Sequence, residues 1–156
     1  MAEEFDVIVI GGGAAGENLA GRVQDGGLTS VVIESELVGG ECSYWACMPS
    51  KAVLRPGEAL AVARRVPSIR DAVTGGIDVE KVLSSRNAFA SNWDDSGQEQ
   101  WLASVNATLI RGFGKITGEK AVTVVEKDRT VRELVARKAV VVATGSTSFI
   151  PPIDGL

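Results

Sequence analysis

A β-branched run, Asp6-Val7-Ile8-Val9-Ile10, leads directly into Gly11-Gly12-Gly13-Ala14-Ala15-Gly16. A short apolar run that ends on glycines reads as a strand buried on both faces of a parallel sheet. Gly11 to about Gln24 then has a helical pattern, with Leu19 and Val23 four apart, and Val31-Val32-Ile33-Glu34 reads as a second buried strand. A strand–helix–strand unit of this kind commits the chain to an α/β fold built on a parallel sheet. The glycines fit G-x-G-x-x-G, a weak pattern taken alone. Here a strand precedes it, a helix follows it, and the second strand ends in an acid. Gly11 permits the tight turn, Gly13 lets the backbone approach a pyrophosphate, and Gly16 lets helix and strand pack closely. The helix N-terminus offers N–H groups and a positive dipole end to phosphates. Glu34, 18 residues after Gly16, stands where an acid accepts hydrogen bonds from a ribose diol. The motif does not separate NAD from FAD.

The rest of the chain divides by period. Ala46 to Arg65 reads as a helix, with Pro56 inside it predicting a kink or break near Arg55. Pro67 ends it, and Thr74-Gly75-Gly76 is a turn. Val79 to about Val105 reads as a further helix, weakened by Gly97. Trp93 and Trp101, eight residues apart on it, are expected to serve core or interdomain packing rather than ligand contact, and Arg64-Arg65 to be a solvated helix end. Short strands follow at Ala107–Ile110, Lys115–Ile116, Ala121–Glu126 and Thr130–Ala136, an antiparallel meander. Ala139 to Ala143 is a third buried strand, closed by Thr144-Gly145-Ser146. The expected fold is a Rossmann-like domain: a parallel sheet flanked by helices, plus an antiparallel β-meander. Residues 1–150 form its body, and 151–156, beginning Pro151-Pro152, form a stiff linker.

Composition narrows the function classes. The chain has 156 residues, the size of one domain, 45% of them hydrophobic, with a formal net charge of −4. No basic run suits nucleic acid or an anionic membrane. The N-terminus is acidic, and Val7 to Ile10 is too short for a signal peptide or a membrane span. A soluble, cytoplasmic protein is expected. Two cysteines are too few for a disulfide-stapled fold. With no histidine they are too few for a four-ligand zinc site. The lack of histidine also removes the commonest general base.

Those cysteines lie in Gly39-Gly40-Glu41-Cys42-Ser43-Tyr44-Trp45-Ala46-Cys47-Met48-Pro49-Ser50-Lys51. A disulfide needs Cα atoms about 4.4–6.8 Å apart. Five positions along a regular helix rise about 7.5 Å and place the side chains on different faces. A bonded pair therefore requires an irregular turn at Cys42, with the helix becoming regular near Cys47. A helix N-terminus and Lys51 would favour a thiolate at Cys47. Two buried, unlinked core cysteines are the alternative.

Taken in order, the glycine motif with Ala20, Glu34, the GGECSYWACMPSK segment and Ala143-Thr144-Gly145 resemble the N-terminal part of the class I pyridine nucleotide–disulfide oxidoreductases. That family includes dihydrolipoamide dehydrogenase, glutathione reductase and mercuric reductase. The resemblance covers nearly the whole chain, and the cysteine segment is its most specific part. It implies that the nucleotide is FAD, bound by Gly11, Gly13, Ala15, Gly16 and Glu34. Gly40 and Glu41 would line the pyrophosphate and ribityl side, and Gly114 of the Gly112-Phe113-Gly114 loop would meet the adenine end. Thr144 and Gly145 would close over the cofactor. Cys42 would be the interchange thiol, Cys47 the charge-transfer thiol beside the flavin, and Lys51 a neighbour of the flavin N5 edge. The implied reaction passes electrons between NAD(P)H, FAD, a Cys42–Cys47 disulfide and a small-molecule disulfide or dithiol.

The resemblance also implies parts beyond these residues: an NAD(P)-binding domain, a returning FAD segment, and a dimerisation domain that supplies a His–Glu pair to the other subunit. The full-length enzyme would be a homodimer. The chain alone reads as an inactive, incomplete portion of the fold, with exposed sheet edges and apolar surface. It departs from the family in one place. Ser43-Tyr44-Trp45-Ala46 replaces the usual Asn-x-Gly between the cysteines, and the two aromatics are expected to pack against a neighbouring helix rather than narrow access to the pair. A non-catalytic FAD- or nucleotide-binding module whose cysteines sense redox state is the competing function. A structural fragment without a cofactor is a third.

Overall fold

A computed structural model describes residues 2–147 and 149–155. Its elements run β1 (Glu3–Ile10), α1 (Ala14–Asp25), β2 (Ser30–Glu34), α2 (Gly40–Tyr44), α3 (Cys47–Arg65), α4 (Val79–Phe89), α5 (Ser96–Ser104), β3 (Thr108–Gly118), β4 (Ala121–Glu126) and β5 (Val131–Val142). Two 3-10 turns, Arg70–Ala72 and Ser91–Trp93, lie between the later helices.

Four strands are mutually parallel in the order β3-β2-β1-β5, with Ile8 opposite both Val31 and Val140. β4 runs antiparallel to β3 and to β5 and joins them, so the five strands close into a ring. Period two sorts the apolar run of β1 onto two faces. Ile8 and Ile10 point into the ring with Val31, Ile33 and Ile110, where they meet Val122, Val124 and Leu134 of the meander. Val7 and Val9 point outward with Val32, against Ala20 of α1 and Leu102 of α5. Both faces are buried, which explains why β1 and β2 carry unbroken apolar runs. Helices cover only the outer face; the meander covers the other.

Several sequence expectations change. Val79 to Val105 is not one helix. Asp78 caps α4 by accepting from the Lys81 N–H at 3.1 Å. Ser91, Asn92 and Trp93 then take positive φ values of 49°, 51° and 59°, which reverse the chain. Asp94 accepts from the Ser96 N–H at 2.9 Å, where α5 starts. Trp93 and Trp101 therefore belong to different elements. Trp93 lies under the Arg86 guanidinium at 5.6 Å, and Trp101 packs on Gly21. Of the kink or break expected near Arg55, the break is absent: α3 runs as one helix through Pro56, with α4 packed along it.

Two expected pairs of short strands are single strands. β3 passes through Gly112, where a Cβ would lie 2.7 Å from the Val125 carbonyl oxygen; only glycine allows that pairing. β5 passes through Arg137-Lys138, a charged pair that reads as an interruption. Arg137 Nε donates to Asp6 Oδ1 at 3.0 Å, and its guanidinium pairs with Glu4, beside the bulge in β1 between Phe5 and Val7. The expected exposed sheet edges are found in part: β4 joins β3 to β5, but Thr108–Arg111 pair only with β2 and Ala139–Val142 only with β1. The expected apolar surface is present, with Leu54, Val79 and Phe89 all exposed on α3 and α4. Residues 149–155 form neither helix nor strand. Arg64 donates to the Gly75 carbonyl at 2.9 Å, tying the end of α3 to the turn before α4.

Candidate functional site

The C-terminal ends of β1, β2 and β5 open onto one cleft of about 790 Å³. Ligands of open parallel sheets bind at this edge. Gly11, Gly13, Ala15, Glu34, Gly40, Glu41, Cys42, Cys47, Gly114, Thr144 and Gly145 all border it. Two expected site residues do not. Gly16 lies behind the loop, and Lys51 lies one turn along α3, its Nζ 3.5 Å from the Cys47 carbonyl oxygen.

Main-chain contacts build the phosphate side of the cleft. Gly11 has φ +102°, and a Cβ there would lie 2.4 Å from the Ala143 carbonyl oxygen. A Cβ on Gly16 would lie 1.9 Å from the Gly11 carbonyl oxygen. The first glycine thus lets the loop pass under the end of β5, and the last lets α1 seat against the loop. The Gly39 N–H donates to the Gly12 carbonyl at 2.7 Å, and a Cβ on Gly40 would lie 2.9 Å from the Gly13 Cα. The glycine loop is therefore zipped to the segment that leads into the cysteines. No side chain caps α1, and its first residues, Ala14 and Ala15, border the cleft. First-turn N–H groups without intrahelical partners suit an anion. The backbone fits a pyrophosphate here.

Glu34 has a second role that the sequence did not reveal. Its Oε2 accepts from the Gly12 N–H and its Oε1 from the Glu36 N–H, both at 2.7 Å. The carboxylate latches the glycine loop to the loop after β2. Each oxygen keeps a further lone pair for a ribose diol.

The cysteines occupy two helices. Cys42 lies in α2, and Cys47 is the first residue of α3. The Trp45 and Ala46 N–H groups both donate to the Glu41 carbonyl, and Ala46 takes φ −120°, ψ −85°, outside the helical region. This break is the departure from regular helix that the spacing requires, although Cys42 sits in a helical turn of its own rather than an irregular one. Both cysteines are free thiols and half-buried. The Cys42 thiol is pushed up, first by hydrogen bonding with Cys47, then by burial and by the charge of Cys47; Lys51 opposes this and Glu17 adds to it.

The intervening aromatics divide between the two expected roles. Tyr44 is buried, and its hydroxyl donates to Gln98 Oε1 of α5 at 3.0 Å. Burial pushes its phenol up to about 12, aided by Asp95 and Glu17. Trp45 stacks edge-on against Tyr44 yet remains half-exposed on the cleft beside the cysteines. The sequence also hid what holds the cleft's outer wall. Arg111 of β3 donates to the Glu36 carbonyl at 2.6 Å and pairs with Asp95 and Glu99, while Asp95 accepts from the Val38 N–H at 2.7 Å. Phe113, which is exposed, lines the cleft next to Gly114.

Comparison with known proteins gives the family. Residues 5–156 match the family described as pyridine nucleotide-disulphide oxidoreductase. The chain belongs to that family. Dihydrolipoyl dehydrogenase of Chlorobaculum tepidum is 33% identical over 155 residues, which cover 97% of this chain and 32% of that protein. Dihydrolipoyl dehydrogenase of Bacillus subtilis is 30% identical, covering 99% of this chain and 35% of its own length. Mercuric reductase of Staphylococcus aureus is 26% identical, with 98% and 27% covered. The chain thus spans about a third of the length of the dihydrolipoyl dehydrogenases it matches. A Cu(II) complex of the HOCl-induced flavoprotein disulfide reductase RclA from Escherichia coli superposes with a TM-score of 0.77 at 20% identity, covering 98% of this chain and 31% of that one. It supports the fold. Among the described residues, no helix is long and apolar enough to cross a membrane.

Proposed function

We propose that the cleft binds FAD and that Cys42 and Cys47 form a reversible redox disulfide beside the flavin, as part of a flavoprotein disulfide oxidoreductase. The observation that carries this reading is the convergence of three features on one cleft: an uncapped glycine-loop helix, an acid at the end of β2, and two adjoining thiols at a break between helices. A bound flavin supplies two-electron chemistry. The chain's own residues do the rest. Gly13, Ala14 and Ala15 receive the pyrophosphate, and Glu34 receives the ribose. Gly114 and Phe113 border the adenine end, and Thr144-Gly145 border the cofactor from the end of β5. Cys42 is the thiol that exchanges with a small disulfide or dithiol, and Cys47, at the start of α3, is the partner nearer the flavin. Lys51 serves as a nearby positive charge rather than a cleft wall.

In this reading residues 151–156 lead toward an NAD(P)-binding domain, the complete enzyme is a cytoplasmic homodimer, and NAD(P)H is the other electron carrier. A half-exposed Trp45 beside the pair favours small substrates over large ones.

Flavin binding is the direct test. Titrating the purified protein with FAD should quench flavin fluorescence at a stoichiometry near one. Glu34→Ala should weaken binding by about tenfold, through loss of the loop latch and the ribose acceptor together. Protein that forms a reversible disulfide yet binds no flavin would instead support a redox-sensing module.

A further inference from the structure

Arg111 and Glu34 are register partners on β3 and β2, so their side chains leave the sheet on the same side. Opposite charges at neighbouring positions attract, yet among the described residues these two form no ion pair. The guanidinium turns to Asp95 and Glu99 instead, and its Nη1 donates to the Glu36 carbonyl at 2.6 Å. Both Glu34 oxygens stay on main-chain N–H groups, those of Gly12 and Glu36.

Asp95 is the residue that diverts the arginine. It occupies the N-cap position of α5, but its carboxylate caps nothing in that helix. An aspartate there ordinarily accepts from the first turn, a bond worth about 0.5–2 kcal/mol. Here the side chain is largely buried, and its Oδ2 accepts from Arg111 and from the Val38 N–H, the latter at 2.7 Å. The contacts then close into a ring. Arg111 holds the Glu36 carbonyl, the Glu36 N–H holds Glu34, and Glu34 holds the Gly12 N–H. The Gly12 carbonyl accepts from the Gly39 N–H at 2.7 Å, and Val38, next along the chain, donates back to Asp95. The loop between β2 and the cysteine helix is thus held by the glycine loop on one side and by Asp95 and Arg111 on the other. Neither Asp95 nor Arg111 borders the cleft.

We propose that Asp95 is a positioning residue for the ribose acid: with Glu99 it holds Arg111 off Glu34 and on the Glu36 carbonyl, so that the Gly12 and Glu36 N–H groups keep the Glu34 carboxylate in place for a ribose diol. Released from Asp95, the guanidinium would pair with Glu34 and compete with the ribose for its lone pairs. The inference rests on the reading of the cleft as an FAD site.

The first measurement needs no flavin. Hydrogen exchange followed by NMR should quicken roughly three- to tenfold at the Gly12 and Glu36 N–H groups in Asp95→Asn. The Gly11 N–H, bonded to the Ile33 carbonyl at 2.8 Å, should keep its wild-type rate. The second measurement is a double-mutant cycle on FAD affinity. Asp95→Asn should weaken binding roughly three- to tenfold in the wild-type background and by less than about twofold in Glu34→Ala, because its effect passes through Glu34. A residue that merely stabilised the fold would weaken both backgrounds alike. Arg111→Lys, a point charge that cannot hold Glu36 and Asp95 together, should repeat the pattern if Asp95→Asn folds poorly. Equal losses on both backgrounds, or unchanged exchange at Gly12 and Glu36, would overturn the proposal. Wild type that binds no FAD would sink the flavin reading itself, and with it the role assigned to Asp95.

Discussion

The two walls of the cleft are built by different means. The phosphate wall is main chain against main chain: Gly11 under Ala143, Gly16 on Gly11, and Gly40 on Gly13, at separations that leave no room for a Cβ. The cysteine wall is held by side chains. Arg111, Asp95 and the Tyr44–Gln98 bond fix its frame, and the hydrogen bond with Cys47, followed by burial, pushes the Cys42 thiol up. Backbone sterics tolerate almost no substitution, whereas a side-chain frame can be retuned one residue at a time. In the proposed reading, this difference suits one wall to a common cofactor and the other to a variable redox task.

The comparison breaks first at Gly16. Gly16→Ala must displace α1 or the loop and should cost roughly 3 kcal/mol, read by urea unfolding, and abolish flavin binding. Gly97→Ala, in open space within α5, should be neutral or slightly stabilising. Equal effects at the two sites would mean that the close approach at Gly16 does not matter. Next comes Arg111→Ala, which strands the largely buried Asp95 carboxylate. Arg111 keeps about a quarter of its side-chain exposure, so a cost of about 2 kcal/mol is expected, below that of a fully buried pair. The same variant should expose the cysteine segment to faster proteolysis.

Tyr44→Phe should cost about 1 kcal/mol by removing the hydroxyl bond to Gln98. It also carries a pH signature. The folded phenol titrates near 12 against an ordinary value of 10, so the folded state holds its proton more tightly. Its contribution is complete below pH 10 and is lost between pH 10 and 12; Tyr44→Phe should flatten that alkaline fall. The smallest effect is at Asp6. Its carboxyl is held well below the usual range, first by the Arg137 hydrogen bond and then by Thr29. That contribution is present above the ordinary carboxylate range and fades as pH falls through and below it. Asp6→Asn should therefore soften acid unfolding, an effect that salt reduces because the Arg137 side of the pair is open to solvent.

Much of this was legible in the sequence. Asp6 to Glu34 identified the strand–helix–strand unit because its apolar runs and glycines obey local rules. A bonded cysteine pair would demand a break between helices, and Trp45-Ala46 supplies one, although both thiols are free. The misreadings share a cause: they depend on long-range partners. Arg137-Lys138 reads as an interruption until Asp6 and Glu4 arrive from β1. Gly112 reads as part of a loop until Glu126 of β4 pairs across it. The Val79–Val105 pattern persists through Ser91–Trp93 because helical spacing does not register a left-handed reversal. Around the cleft, residues carrying a motif were legible, but Arg111 and Asp95, which brace its outer wall, lie outside any motif and become visible only through the fold.

The central claim is that a flavin and the Cys42–Cys47 pair share this cleft. It is tested most directly by reducing the FAD-loaded protein with two electron equivalents and recording its long-wavelength absorbance. The account predicts a charge-transfer band in the reduced wild type, the same band in Cys42→Ser before any reductant is added, because its lone Cys47 thiolate already faces oxidised flavin, and no band in Cys47→Ser. FAD-loaded protein without such a band, or a Cys47→Ser variant that retains it, would contradict the account.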